Sequence, residues 1–171
     1  PLGAVSIDRQ AWLAARELPG VIVDDRPHAE EHAIEVQLPF LQSTLDHFEI
    51  LPVAVGQVDA HLVAGLLEAL WGGPETLIVI SSDLSHYHPY RQAQWRDKAT
   101  IGKIAQLDAT LDGEQACGAG AINGLLLAAQ RHHLSPHLLD LRNSGDTAGD
   151  RDRVVGYAAL AFSEEHNHAH H

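Results

Sequence analysis

A chain of 171 residues with 45% hydrophobic side chains can bury a sizeable core, and this composition argues against intrinsic disorder. Lysine and arginine number 11 against 23 aspartates and glutamates, a formal charge of −12, which speaks against nucleic acid or an anionic membrane as partner because both need a basic surface. The single cysteine, Cys117, excludes an internal disulfide and fits a reducing, cytoplasmic setting, and the longest apolar runs, such as 77–80, fall far short of a membrane span.

In chain order, residues 6–18 read as a helix, capped by Ser6 or Asp8 and stopped by Pro19-Gly20. Val21, Ile22 and Val23 form a short strand candidate. Residues 30–45 read as an amphipathic helix with Ile34, Leu38, Leu41 and Leu45 on one face, and Pro39 predicts a kink or break inside it. Residues 48–55 read as a strand ending at Gly56. Asp59 caps a helix through Leu70, closed by Gly72-Gly73-Pro74. Residues 77–82 have the β-branched, apolar character of a buried parallel strand. Two helices follow, over 89–107 and 118–131, then a strand over 137–141, a polar loop over 143–153 and a last strand over 154–162.

Strands alternating with helices predict an α/β fold whose sheet is covered on both faces, in one domain over 1–163 without repeats or linkers. Ligands in such folds bind beyond the carboxyl ends of the strands. The chain opens at Pro1 and contains no methionine, so we expect the C-terminal portion of a larger protein. The His-rich tail, 164–171, is expected to stand outside the fold, either as a native metal-chelating segment or as a disordered, tag-like one.

Four stretches carry residues suited to chemistry. In Ser81-Ser82-Asp83-Leu84-Ser85-His86-Tyr87-His88 a buried strand ends in hydroxyls, a carboxylate and two imidazoles. An imidazole there suits proton transfer near neutral pH, and Asp83 can orient His86 and fix its tautomer. The plainer reading is a polar loop that caps the next helix. His86 is favoured over His88, which abuts Pro89. His32 and Glu35, three apart, are expected to share a helix face and form a carboxylate–imidazole pair, or simply a solvated helix start. The same stretch, His28 to His32 with Glu31, matches the H-x-x-E-H pattern of inverted zinc peptidases, which needs both histidines on one helix. Cys117, followed by Gly118-Ala119-Gly120 and a helix, is a thiolate or soft metal ligand on one reading and a small buried hydrophobe on the other. The run 143–150, with two Gly-Asp pairs, lacks the spacing and closing glutamate of a calcium loop and reads as a turn-rich connection.

Taken together these stretches resemble the Memo family, including the prokaryotic proteins called AmmeMemoRadiSam system protein B. The resemblance rests on Pro1-Leu2-Gly3, on Glu31-His32-Ala33-Ile34-Glu35-Val36-Gln37-Leu38-Pro39-Phe40-Leu41, on Ser81-Ser82-Asp83-Leu84-Ser85-His86-Tyr87, on Cys117-Gly118 and on the run from 143 to Val154-Val155-Gly156-Tyr157-Ala158-Ala159, in that order. It implies a relation to the class III extradiol dioxygenases and a mixed, largely parallel sheet between helical layers. It implies that Cys117 joins two histidines as a ligand of iron or copper, that His86 holds the acid/base position, and that Asp83, Ser82, His32 and Glu35 line the pocket. The two histidine ligands of the family lie upstream of the Pro-Leu-Gly segment. We therefore expect an incomplete metal site with His86 and His88 as nearby substitutes, and some uncovered apolar surface. The resemblance implies metal-dependent, dioxygenase-like redox activity on a small-molecule substrate in the complete protein. The alternatives are a non-catalytic peptide-binding module and an accessory partner of a radical-SAM enzyme.

Overall fold

The computed structural model describes residues 2–147 and 149–164. The His-rich tail beyond Glu164 lies outside the described residues. The fold is mixed α/β, with five helices and both parallel and antiparallel pairing. The helices are α1 (Arg9–Ala15), α2 (Leu38–Thr44), α3 (Ala60–Ala69), α4 (Tyr90–Ala105) and α5 (Ala119–Arg131). The strands are β1 (Ser6–Ile7), β2 (Glu49–Ile50), β3 (His86–His88), β4 (Leu134–Asn143) and β5 (Val154–Glu164). Among the described residues no helix is long and apolar enough to cross a membrane.

Most of the regular ladder is antiparallel, because the two longest strands, β4 and β5, pair with each other from Leu134↔Glu164 to Asn143↔Gly156. Short β3 adds to the other side of β5, giving the order β3-β5-β4. Pro136 is tolerated in β4 because that strand lies at the edge. The parallel ladder is a two-residue pairing of β1 with β2. The core is built from Leu84, Ile101, Ile104, Leu111, Ala116, Ala119, Ile122 and Leu126, with Leu141, Ala158, Leu160 and Phe162 packed against it from the sheet. Helices α3 and α5 approach closely at Gly124, where any side chain would collide with Val63.

Local signals decide several boundaries. Asp8 caps α1 through a 2.9 Å bond from the Ala11 N–H, so the helix begins after β1 rather than at residue 6. Asp59 caps α3 in the same way, accepting from the His61 N–H at 2.8 Å. Residues 30–45 are not one helix. Pro39 lies in the first turn of α2, where its missing N–H costs nothing, and residues 33–37 form turns ahead of it.

The expected strands over 21–23, 48–55 and 77–82 are extended at most. Only Glu49 and Ile50 of these residues enter a ladder. A β-branched apolar run states a preference, but a strand also needs a neighbour to bond, and no described segment supplies one. The resulting apolar surface is open: Ile22 is 77% exposed and Leu77 70% exposed.

Candidate metal centre

Residues 77–83, outside any helix or strand, lead to the N-terminus of α5, where two peptide segments lock together. Gly118 is required at this crossing, because a Cβ there would sit 2.8 Å from the Cβ of Ser82. The Gly118 N–H donates to Ser82 Oγ at 2.8 Å, and that hydroxyl donates to the Asp83 carbonyl at 2.7 Å. The Cys117 N–H reaches the same carbonyl at 3.3 Å. In return, the Asp83 N–H points at Cys117 Sγ from 3.2 Å, and Ser82 Oγ lies 3.6 Å from the sulfur. The thiol is exposed and held in place by backbone, so the reading of Cys117 as a small buried hydrophobe is overturned.

His86 comes to this crossing from β3. Its Nε2 lies 3.3 Å from Asp83 Oδ2, with both side chains partly exposed. The register of β3 against β5 is irregular between His86 and His88, and Tyr87 between them has a φ of +61°. That left-handed conformation is uncommon for a bulky residue and is held by the β3–β5 pairing around it. One ligand atom each from Asp83, His86 and Cys117 lies within 4.8 Å of the others.

The remaining candidates fall elsewhere. His32 and Glu35 do meet, Nδ1 against Oε1, but through the turns over 33–37 rather than along a helix, and both side chains are exposed. The group able to hold a metal does not include them. Their stretch is tied to the centre indirectly, by Gln37 Nε2 donating to Ser81 Oγ at 3.0 Å. His88 is half-buried on β3 and also outside the group. The zinc-peptidase pattern fails on geometry. His28 ends a 3₁₀ turn, Arg26–His28, and His32 lies in irregular backbone beyond it, so no helix presents the two imidazoles together. The 143–150 loop is structural: Asn143 and Asp146 cap a 3₁₀ turn reciprocally, and the Tyr90 phenol donates to Asp146.

Comparison with known proteins bears on this arrangement. The family described as Memo-like protein matches residues 1–161. The chain belongs to the Memo-like family. A MEMO1 family protein of Metallosphaera sedula is 33% identical across 96% of this chain, and one of Sulfolobus acidocaldarius is 34% identical across the same share. A third, from Saccharolobus islandicus, is 35% identical across 95%. The chain spans about 63% of the length of the first two relatives and 62% of the third.

The donors at the crossing of this Memo-like chain suit a transition metal. They offer one carboxylate, one imidazole and one thiol, a set that favours a borderline or soft ion over magnesium or calcium. Ligands about one such ion stand roughly 3–4 Å apart, and the 3.3 Å between His86 and Asp83 falls in that range. Three converging donors also leave positions open. The sequence reading missed a further layer around this group. The bonds from Leu84 N–H to the Gly156 carbonyl and from Gly156 N–H to the Ser85 carbonyl, each 2.9 Å, carry β5 alongside the 83–86 segment. They place Tyr157 near Asp83. Burial raises the Tyr157 phenol above the usual tyrosine range, and the Asp83 carboxylate and Tyr87 add to the shift. The signal was present in Val155-Gly156-Tyr157: Gly156 faces the buried Asp97, where any side chain would collide with the carboxylate.

Proposed function

We propose that Asp83, His86 and Cys117 belong to the metal-dependent redox centre of the complete protein, with Cys117 a ligand of iron or copper. The supporting observation is the convergence of a thiol, an imidazole and a carboxylate within 4.8 Å, at a crossing fixed by backbone hydrogen bonds. When bound, the metal supplies one-electron redox chemistry to a small-molecule substrate in a cytoplasmic setting.

The chain's own residues divide the remaining work. Asp83 orients the His86 ring through Nε2, which leaves Nδ1 to exchange a proton with substrate. Ser82 holds Asp83 and Gly118 in register, and so positions Cys117. His32 and Glu35, paired and exposed, lie outside this group and reach it only through Gln37, which donates to Ser81. The same three side chains also carry a second use. His86 and Asp83 can ligate alongside Cys117, because their donor atoms already converge with the sulfur.

Metal content separates these readings from an inert surface. The chain ending at Glu164, free of the histidine-rich tail, should bind iron or copper at one equivalent by mass spectrometry, and Cys117→Ala should lose it. Equal metal in both proteins, or none in either, would contradict ligation by Cys117 in this chain. In the complete protein His86→Ala should abolish oxidative turnover, and unchanged turnover would remove its proton-transfer role.

A further inference from the structure

Arginines cluster where β4, β5 and their connection meet, and two of the three have their hydrogen-bonding edges committed. Arg142 donates from Nε to Asp140 Oδ2 at 2.5 Å. Arg151 lies over the Tyr90 ring at 4.4 Å and donates from Nε to the Gly145 carbonyl at 3.4 Å. Arg153 differs. Its guanidinium carbon stands 5.0 Å from the Tyr87 ring centroid, and among the described residues it makes no hydrogen bond or ion pair. This is unexpected in a chain with 23 acidic residues, two of which, Asp150 and Asp152, lie within three positions of it. A guanidinium held by an aromatic ring rather than by hydrogen bonds keeps its N–H groups free, and those groups match a carboxylate in bidentate fashion.

The location gives the free edge its meaning. Tyr87 is the residue after His86, the two rings lie 5.7 Å apart between centroids, and the left-handed backbone at Tyr87 sets their arrangement. Tyr157, brought alongside Asp83 by β5, adds a second phenol to the same face. The surface beside Asp83, His86 and Cys117 thus carries two phenols and, over one of them, an uncommitted cation.

We propose that Arg153, over the Tyr87 ring, is the carboxylate-binding element of this site, so that the site takes a small-molecule carboxylate. The inference rests on the reading of the Asp83–His86–Cys117 crossing as a small-molecule pocket. Arg153 fixes the anionic end of the ligand beside Tyr87. Arg153 is a specificity-determining residue and takes no part in proton transfer.

Benzoate and its neutral isostere benzamide, titrated into the full chain without added metal and followed by NMR chemical-shift changes, test this directly. Benzoate should bind at least about tenfold more tightly than benzamide, and Arg153→Gln should erase the difference. Arg153→Lys should fall between the two, because it keeps the charge and loses the fork. Equal affinities for benzoate and benzamide, or an unchanged preference in Arg153→Gln, would overturn the proposal. Cys117→Ala keeps the two readings apart. It should leave the benzoate preference intact, and a variant that still bound metal would remove the metal reading while the carboxylate site stood. Loss of the preference in Cys117→Ala, with Arg153 untouched, would count against Arg153 as its source.

Discussion

The stretch up to residue 82 and the stretch after it use similar residues to different ends. After residue 82 the main core is built: Leu84, Ile104 and Leu126 are nearly or fully buried, and β5 is bonded on both sides. Before it, Ile22, Val23, Leu77 and Val79 face outward from backbone that enters no ladder among the described residues. Residues 77–80 are all apolar and richer in β-branched side chains than 154–162. What separates them is the presence of neighbours, so an apolar run becomes core only where another element covers it. The metal-type cluster sits at the seam, with Asp83 at the end of the uncovered segment and Cys117 at the start of a well-packed helix.

Mutations can break or sharpen this contrast. The largest effect should come from Leu126→Ala, which empties a fully buried core position and should cost about 2–5 kcal/mol in chemical denaturation. Leu77→Ala, at an exposed position, should stay within about 0.5 kcal/mol. Similar costs for the two would erase the contrast. Next comes Asp97→Ala. Asp97 is buried and accepts from the Ser85 N–H at 3.1 Å, so its loss strands that N–H and should cost about 1–3 kcal/mol. It should also loosen the 83–86 segment, read as faster amide exchange there. Asp8→Ala removes the α1 cap and should cost about 1 kcal/mol by the same denaturation measurement.

The smallest effect is a dependence on pH. The Tyr90 phenol is the main cause of the Asp146 carboxyl being held below its ordinary value of 3.8. A carboxyl lowered by folding stabilises the fold above its unfolded value, and that contribution is lost as pH falls through the folded value. Tyr90→Phe should therefore flatten the acid side of the stability curve below pH 3.8. The change should be slight because the pair is exposed to solvent.

The sequence made some of this visible and hid the rest for identifiable reasons. Helices with strong local start or stop signals were legible. Asp8, Asp59, Gly118 and the Gly72-Gly73-Pro74 break all act within a few residues of the ends they mark, and α3, α4 and α5 fall inside the spans expected from them. Pro39 was legible as a break, but its place in the first turn of α2 was not, because that depends on the turns before it. Strand β3 escaped notice, since His86-Tyr87-His88 has no apolar alternation and is a strand only through β5. At the site, Asp83, His86 and Cys117 could be picked out by residue type, and their convergence required the crossing at Gly118. Tyr157 had only the small residue before it as a signal, and Arg153 had none, because their placement comes from strand pairing and from what Arg153 leaves unbonded.

Cys117, Asp83 and His86 are proposed to act together as one centre. The most direct measurement is cobalt(II) titration of the chain ending at Glu164, followed by absorption. The wild-type chain should show a thiolate-to-cobalt charge-transfer band at one equivalent. Cys117→Ser should lose the band entirely, and His86→Ala or Asp83→Ala should weaken the binding that produces it. A band that survives Cys117→Ser, or one that ignores both His86 and Asp83, would contradict the assignment of these residues to a single metal centre.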